Sequence, residues 1–158
     1  MAQFVSQRDV DFFDGLNSEL IDSIIDTKIN VFKVSLHDTE VNLYGESMSK
    51  VFFPGVTVGC LITPEDSAVE MAEYGSDIDQ AASFAFHRKT LQTQNLYLEI
   101  GDIIEWNSGY YEVNNIIENQ FISGQTTHSH SILCTTHLTR KSKLKLEQIR
   151  SGGTLANI

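Results

Sequence analysis

The stretch GDIIEWNSGYYEVNNIIENQFISG, residues 101–124, is the most strand-like part of the sequence and decides its fold class. Residues 103–106 and 110–117 are rich in isoleucine, tyrosine and tryptophan, which favour strands. Between these runs lies Asn107-Ser108-Gly109, a short loop in which Gly109 can supply a positive φ. The pattern predicts a β-hairpin.

Shorter strand-like runs lie on both sides of this hairpin. They fall at residues 31–36, 51–53, 56–62, 82–88 and 128–138. Pro54 and Gly55 mark a turn or bulge between the second run and the third. Residues 89–98 are typical of a helical turn. Several short strands with one dominant helix predict a mainly β protein of the α+β class, folded as a small β-barrel or sandwich with a peripheral helix.

The dominant helix is predicted at about residues 16–29, LNSELIDSIIDTKI. Its apolar residues follow the 3.6-residue period of one helix stripe. They are Leu16, Leu20, Ile21, Ile24, Ile25 and Ile29. Asn17 or Ser18 would cap its start. With 158 residues, the chain fits one β-rich domain at residues 1–139, followed by a C-terminal arm at residues 140–158.

The arm differs from the rest of the chain in charge. RKSKLKLEQIR, residues 140–150, holds five bases against one acid, a net charge of +4 in a chain whose total is −10. The other 147 residues therefore sum to −14. Lysine and arginine are absent from residues 51–87 and 90–139, so no basic groove for nucleic acid can form there. Leu144, Leu146 and Ile149 add an apolar component that suits a contact with another protein.

No catalytic, cofactor or metal site is predicted. His128, His130, Cys134 and His137 resemble a metal-binding group, but His137 has the opposite strand parity and no second ligand motif accompanies them. Neither a G-x-S-x-G elbow nor a phosphate-binding glycine loop is present. Cys60 and Cys134 lie in apolar strand-like runs and are expected to be buried free thiols. No run reaches the roughly 18 apolar residues of a membrane span, and the first residues lack a signal-peptide pattern.

An acidic stretch at residues 64–79, PEDSAVEMAEYGSDID, contains no base and is expected to form a solvated loop or a short helix. Its acids are Glu65, Asp66, Glu70, Glu73, Asp77 and Asp79.

Three segments of the chain resemble the neck proteins of contractile-tailed bacteriophages, which are head-closure or head-to-tail connectors. The segments are LYGESMSKVFFPGV at residues 43–56, GDIIEWNSGYYEVNNIIENQF at residues 101–121 and HLTRKSKLKLEQIR at residues 137–150. The resemblance extends over about residues 12–150. It implies a structural virion protein, assembled in the host cytoplasm, that forms a hexameric ring between the portal side of the capsid and the tail.

The resemblance also implies the partners: other copies of the chain, a portal or head-side connector, and a tail-side ring, with genomic DNA passing through unbound. We therefore expect the six acids of residues 64–79 to face the channel, since an acidic lumen repels the duplex. We expect the bases Arg140, Lys141, Lys143 and Lys145 to contact a neighbouring subunit or ring. Two alternatives are a tail-terminator or adaptor ring on the tail side and a small metal-dependent hydrolase that uses the histidine-rich strand.

Overall fold

The computed structural model describes residues 6–35, 39, 50–65, 68–72, 75–120, 129–139 and 144, with backbone alone for residues 68–72 and 75–79. Helix α1 (Gln7–Glu19) continues into a π-helical segment (Leu20–Ile25). The other elements are β1 (Lys28–Phe32), β2 (Val56–Gly59), β3 (Leu61–Pro64), β4 (Ala68–Ala72), β5 (Gly75–Asp79), β6 (Ala81–His87), α2 (Arg88–Thr93), β7 (Ile103–Trp106), β8 (Gly109–Gln120) and β9 (Ser129–Thr139). The predicted class, mainly antiparallel β with an N-terminal helix, is confirmed. Among the described helices, none has the length and apolarity to span a membrane.

The way in which the sheet closes decides between a barrel and a sandwich. Its seven strands follow the order β2-β1-β7-β8-β9-β6-β3, with antiparallel pairing throughout. The two outermost strands, β2 and β3, are consecutive in the chain and separated only by Cys60. One bent segment therefore pairs with β1 through its first half and with β6 through its second half. Because both sheet edges belong to this segment, the sheet forms a barrel.

Aromatic side chains fill the barrel. Phe84 on β6 is fully buried and meets Trp106 and Tyr111 edge-on or nearly so, with ring centroids 6.2 and 5.8 Å away. Phe86 is also buried, as the alternation along β6 requires. A smaller cluster of buried residues consists of Phe32, Phe52, Ile103 and Tyr110.

The predicted hairpin is confirmed as β7 and β8, but its turn works differently from the prediction. Asn107 and Ser108 have φ values of 49° and 63°, the arrangement of a two-residue type I′ turn. Gly109, which the sequence suggested for the positive φ, is the first residue of β8. Here glycine allows a close approach, because a Cβ would lie 3.1 Å from Cε2 of Tyr111 and 3.2 Å from Cδ1 of Leu138.

The predicted bounds of the N-terminal helix, 16–29, are wrong at both ends. The helix begins after Ser6, which forms a capping box with Asp9: the Ser6 hydroxyl accepts from the Asp9 amide at 3.4 Å, and the Asp9 carboxylate accepts from the Ser6 amide at 3.2 Å. It ends at Ile25, where Asp26 takes a left-handed conformation with φ 47°. Ile29 lies in β1 and pairs with Val58. The helical spacing of apolar residues continues past Asp26 to Ile29, so the spacing alone does not mark the end of the helix. The left-handed conformation of Asp26 ends it.

The acidic stretch was also predicted wrongly. Strands β4 and β5 pair with each other as an antiparallel ribbon, and with no other described strand. Glu70 lies opposite Asp77 in its register. The alternation of Val69, Met71 and Ile78 with polar residues is a strand signal that the number of acids obscured. The strand predictions at residues 82–88 and 128–138 and the helical turn at α2 are confirmed. The run at 56–62 is divided at Cys60 into β2 and β3, and the first strand ends at Phe32. The predicted strand at 51–53 is wrong, because Phe52 forms only an isolated bridge to Val34.

Candidate functional site

Helix α1 and its π-helical continuation are held to the barrel through a narrow face. Val10 and Ile21 are buried on that face, each 7% exposed. Between them, the Asp14 carboxylate lies 3.3 Å from Nε2 of His87, a buried residue at the end of β6. Gly59 on β2 allows the close approach, since a Cβ there would lie 2.7 Å from Oδ1 of Asp22. The helix is therefore fixed in position on the barrel wall.

Beside this narrow face, the same helix exposes a row of large apolar side chains. Phe12, Leu16, Leu20 and Ile24 follow one another at intervals of four residues and are 62, 47, 42 and 71% exposed. Phe13 lies next to them, half exposed, with its ring centroid 5.9 Å from that of Phe12. We call Phe12, Leu16, Leu20 and Ile24 the apolar stripe. A contiguous apolar patch of this kind is typical of a protein interface.

The other exposed side of the helix is acidic. Residues 7–26 carry a net charge of −5, with Arg8 as their only base. Asp11, Glu19 and Asp22 share one side of the helix with Asp14 at its edge, and we call these four acids the acidic flank. A cleft of about 360 Å³ runs along this flank, lined by Asp14, Glu19, Asp22 and Lys89 among others. The helix thus presents apolar and acidic surfaces side by side.

Most of the positive charge in the described part of the chain is already paired. Lys28 contacts Asp26 at 2.7 Å, and Lys33 contacts Glu99 at 3.1 Å. The other ion pairs are Lys50 with Glu112 at 2.7 Å and Arg88 with Glu118 at 3.5 Å. Such exposed pairs add little stability, but they neutralise the bases involved. The largest concentration of bases in the sequence is the arm at residues 140–150.

The structure brings part of the predicted acidic set onto one ribbon. Glu65 lies at its base, where its amide donates to the Ala81 carbonyl at 3.0 Å and its carboxylate accepts from the Ser83 hydroxyl at 3.1 Å. Glu70 lies on β4, and Asp77 and Asp79 lie on β5. Asp66 and Glu73 fall outside the described residues, so their placement stays a prediction.

The predicted basic contact residues Arg140, Lys141, Lys143 and Lys145 also lie outside the described residues. Leu144, between the last two, is described: it is half-buried against the small cluster of Phe32, Phe52, Ile103 and Tyr110. Leu144 therefore lies at the end of the barrel where β9 finishes. This contact was not foreseen from the sequence.

The cysteines and histidines that suggested a metal site have other surroundings. Cys60 and Cys134 are fully buried free thiols, as predicted, and burial raises the pKa of each to about 12. His137 lies with Nδ1 2.7 Å from Oδ1 of Asn114. His128 falls outside the described residues. Within the described residues, no group of three histidine, cysteine or acidic side chains is arranged to hold a metal ion.

A buried carboxylate, Asp102, has a structural role. It accepts hydrogen bonds from the amides of Val34 at 3.1 Å and Glu99 at 2.8 Å, and its own amide donates to the Glu99 carbonyl at 3.2 Å. Burial raises its pKa despite these two donors. Asp102 thus shapes the turn that starts β7 and ties it to the chain after β1.

No protein-family model matches this sequence, and no curated protein matches it. Among solved structures, the chain is similar to one chain of the virion of a native gene transfer agent particle, with a TM-score of 0.43 and 6% sequence identity. The similarity covers 70% of this chain and 91% of that chain. Agreement of this extent does not establish a common fold.

Proposed function

We propose that this protein is a structural virion protein of a phage neck, a ring subunit that joins the portal side of the capsid to the tail. The observation that carries the proposal is the apolar stripe beside the acidic flank of helix α1. This surface is fixed to a closed barrel, and its large apolar side chains are exposed among the residues that the structure describes. A surface of this kind suits assembly with other protein chains. The resemblance of residues 43–56, 101–121 and 137–150 to neck proteins supports the same assignment.

In the proposed ring, six copies surround a channel through which genomic DNA leaves. The other partners are a portal or head-side connector on one side and a tail-side ring on the other. The acid-rich β4–β5 ribbon, with Glu65 at its base, lines the channel. A lumen of negative charge repels the phosphates and leaves the duplex mobile, whereas lysine or arginine there would bind it.

The titratable groups support a structural protein in preference to a hydrolase. The described groups with a strongly raised pKa, Cys60 and Cys134, are closed inside the barrel. The pKa of Asp102 is also raised, but its oxygens are occupied by backbone amides. A catalytic group needs access to a substrate, and none of these three has it.

The proposal is tested by native mass spectrometry and negative-stain electron microscopy of the purified full chain. We expect a discrete ring with a central opening that does not retain duplex DNA. Cryo-electron microscopy of the purified virions then gives the position of the ring, with its density expected between capsid and tail. Absence of the chain from the virions would refute the proposal. Density for the chain as the ring that caps the tail tube would instead assign a tail-terminator ring.

The placement of the acids has its own test. Replacing Glu70 and Asp77 by lysine raises the charge of each subunit by four at the ribbon, so the ring should retain linear duplex DNA in a salt-dependent manner. The matched control replaces Glu99 and Glu118 by lysine, which gives the same change of charge on the barrel surface. Equal retention by both variants would show that the ribbon does not line the channel.

A further inference from the structure

The acidic, apolar surface of helix α1 and the root of the basic arm lie at opposite ends of strand β9. A pocket of about 170 Å³ beneath the helix is lined by Leu20 and Ile21 together with Ser131, near the start of β9. At the far end of β9, Thr139 pairs with Tyr110. Eight residues separate Ser131 from Thr139, a distance of about 26 Å along an extended strand.

Leu144 of the arm lies at that far end. Tyr110 belongs to the small cluster against which Leu144 packs. Lys145 and Arg150 follow Leu144 in the chain. Because Leu144 is held at the far end of β9, the described part of the arm lies away from the helix surface of its own subunit.

The two surfaces are complementary in charge and in apolar character. Residues 140–150 carry a net charge of +4, and residues 7–26 carry −5. Leu146 and Ile149 of the arm match the large exposed side chains of the apolar stripe. By contrast, the exposed pair of Tyr97 and Ile100 flanks Glu99, which already has Lys33 as a partner. The helix surface is therefore the better match for the arm.

We propose that the arm of one copy docks on helix α1 of the next copy, with its bases on the acidic flank and Leu146 and Ile149 on the apolar stripe. A contact between two different surfaces of the same chain is head-to-tail, and such contacts close into rings when the rotation per subunit allows it. This inference rests on the proposed ring and names the surfaces that build it. The same contact explains why the helix keeps an apolar row that its own barrel leaves uncovered.

The first test measures the contact without any ring. The probe is a fluorescent peptide of residues 139–151, titrated with a full chain in which Arg140, Lys141, Lys143 and Lys145 are changed to glutamine. Fluorescence anisotropy should show binding that weakens as salt rises, because charge pairing contributes to it.

Two helix variants of that chain locate the site. The pair Asp11→Asn and Glu19→Gln, and the pair Leu16→Gln and Ile24→Gln, should each weaken peptide binding at least tenfold. These side chains are exposed, so thermal unfolding should stay close to that of the parent chain. The control pair, Glu99→Gln and Glu118→Gln, should bind the peptide as the parent does. Equal affinity in helix and control variants, or no binding at low salt, overturns the proposal.

A second test establishes that the contact is between copies. A chain with the neutralised arm keeps its helix surface, and a chain carrying Asp11→Asn, Glu19→Gln, Leu16→Gln and Ile24→Gln keeps its arm. Mixed together, they have one functional contact per pair and should stop at dimers in native mass spectrometry. Rings formed by the mixture would overturn the head-to-tail contact. The peptide titration requires no ring. A failure of the peptide to bind would therefore refute the docking contact alone, whereas absence of the ring from the phage neck would refute the proposed function.

Discussion

Two phenylalanine-to-alanine substitutions test the division of this chain into a packed barrel and an uncovered helix surface. Phe84 is fully buried, between Trp106 and Tyr111, and lies opposite Cys134 in the sheet register. Its replacement by alanine leaves a cavity in the centre of the barrel and removes two aromatic contacts. Core substitutions of this type lower the free energy of unfolding by about 3–5 kcal/mol. In a chain of this length, the melting temperature should fall by about 6–20 °C.

Phe12→Ala makes the same chemical change at a site that is 62% exposed. Part of the ring contact with Phe13 is lost, but alanine has the higher helix propensity, so the free energy of unfolding should change by less than about 1 kcal/mol. Its effect should appear in assembly, because Phe12 belongs to the apolar stripe. Buried Phe84 should affect stability, and exposed Phe12 should affect self-association.

Both variants are measured in the chain with the neutralised arm, because self-association would otherwise contribute to the apparent stability. Urea denaturation followed by tryptophan fluorescence gives the free energies, since Trp106 packs directly against Phe84. A similar loss in the two variants, or a loss below about 1 kcal/mol for Phe84→Ala, would refute the reasoning. Either result would mean that the barrel does not close around Phe84.

Three further predictions concern the turn, the thiols and the buried carboxylate. Ser108→Gly should raise the free energy of unfolding by about 0.5–1 kcal/mol in urea denaturation, because residue 108 has a φ of 63° and Asn-Gly is the preferred type I′ pair. Cys60 and Cys134 should not react with a maleimide at neutral pH until the chain unfolds, which mass spectrometry can follow; rapid labelling of the folded chain would contradict their burial. Because the pKa of Asp102 is raised in the folded state, its contribution to stability is greatest below the pKa of the unfolded chain and is lost as pH rises through the folded value. The difference in unfolding free energy between wild type and Asp102→Asn should therefore shift in favour of the variant as the pH rises above the ordinary range of an aspartate, and a constant difference would contradict it.

Strand content and the division of charge could be predicted from the sequence because both are local properties. The hairpin of β7 and β8, the alternation along β6 and the burial of Cys134 each follow from period-2 patterns within a few residues. The turn shows the limit of that reasoning. Gly109 was the obvious residue for a positive φ, but the register of the strands placed Asn107 and Ser108 in the turn.

The candidate surface could be predicted only in part. The sequence indicated an apolar stripe that included Leu16, Leu20 and Ile24, and the structure shows that these side chains are exposed. An apolar row has the same periodicity whether it faces its own core or another chain, so the pattern cannot show which one covers it. The acids of residues 64–79 likewise concealed a hairpin whose alternation is weak.

The sequence by itself determined the mainly β class, the hairpin and the contrast between an acidic body and a basic arm. Only the tertiary structure decided that Cys60 joins the two edges of the sheet into a barrel. It also decided that Val10, Asp14 and Ile21 hold the helix while the neighbouring apolar row stays uncovered. The physical reason is that alternation and charge belong to single segments, whereas closure and burial depend on which distant segments meet.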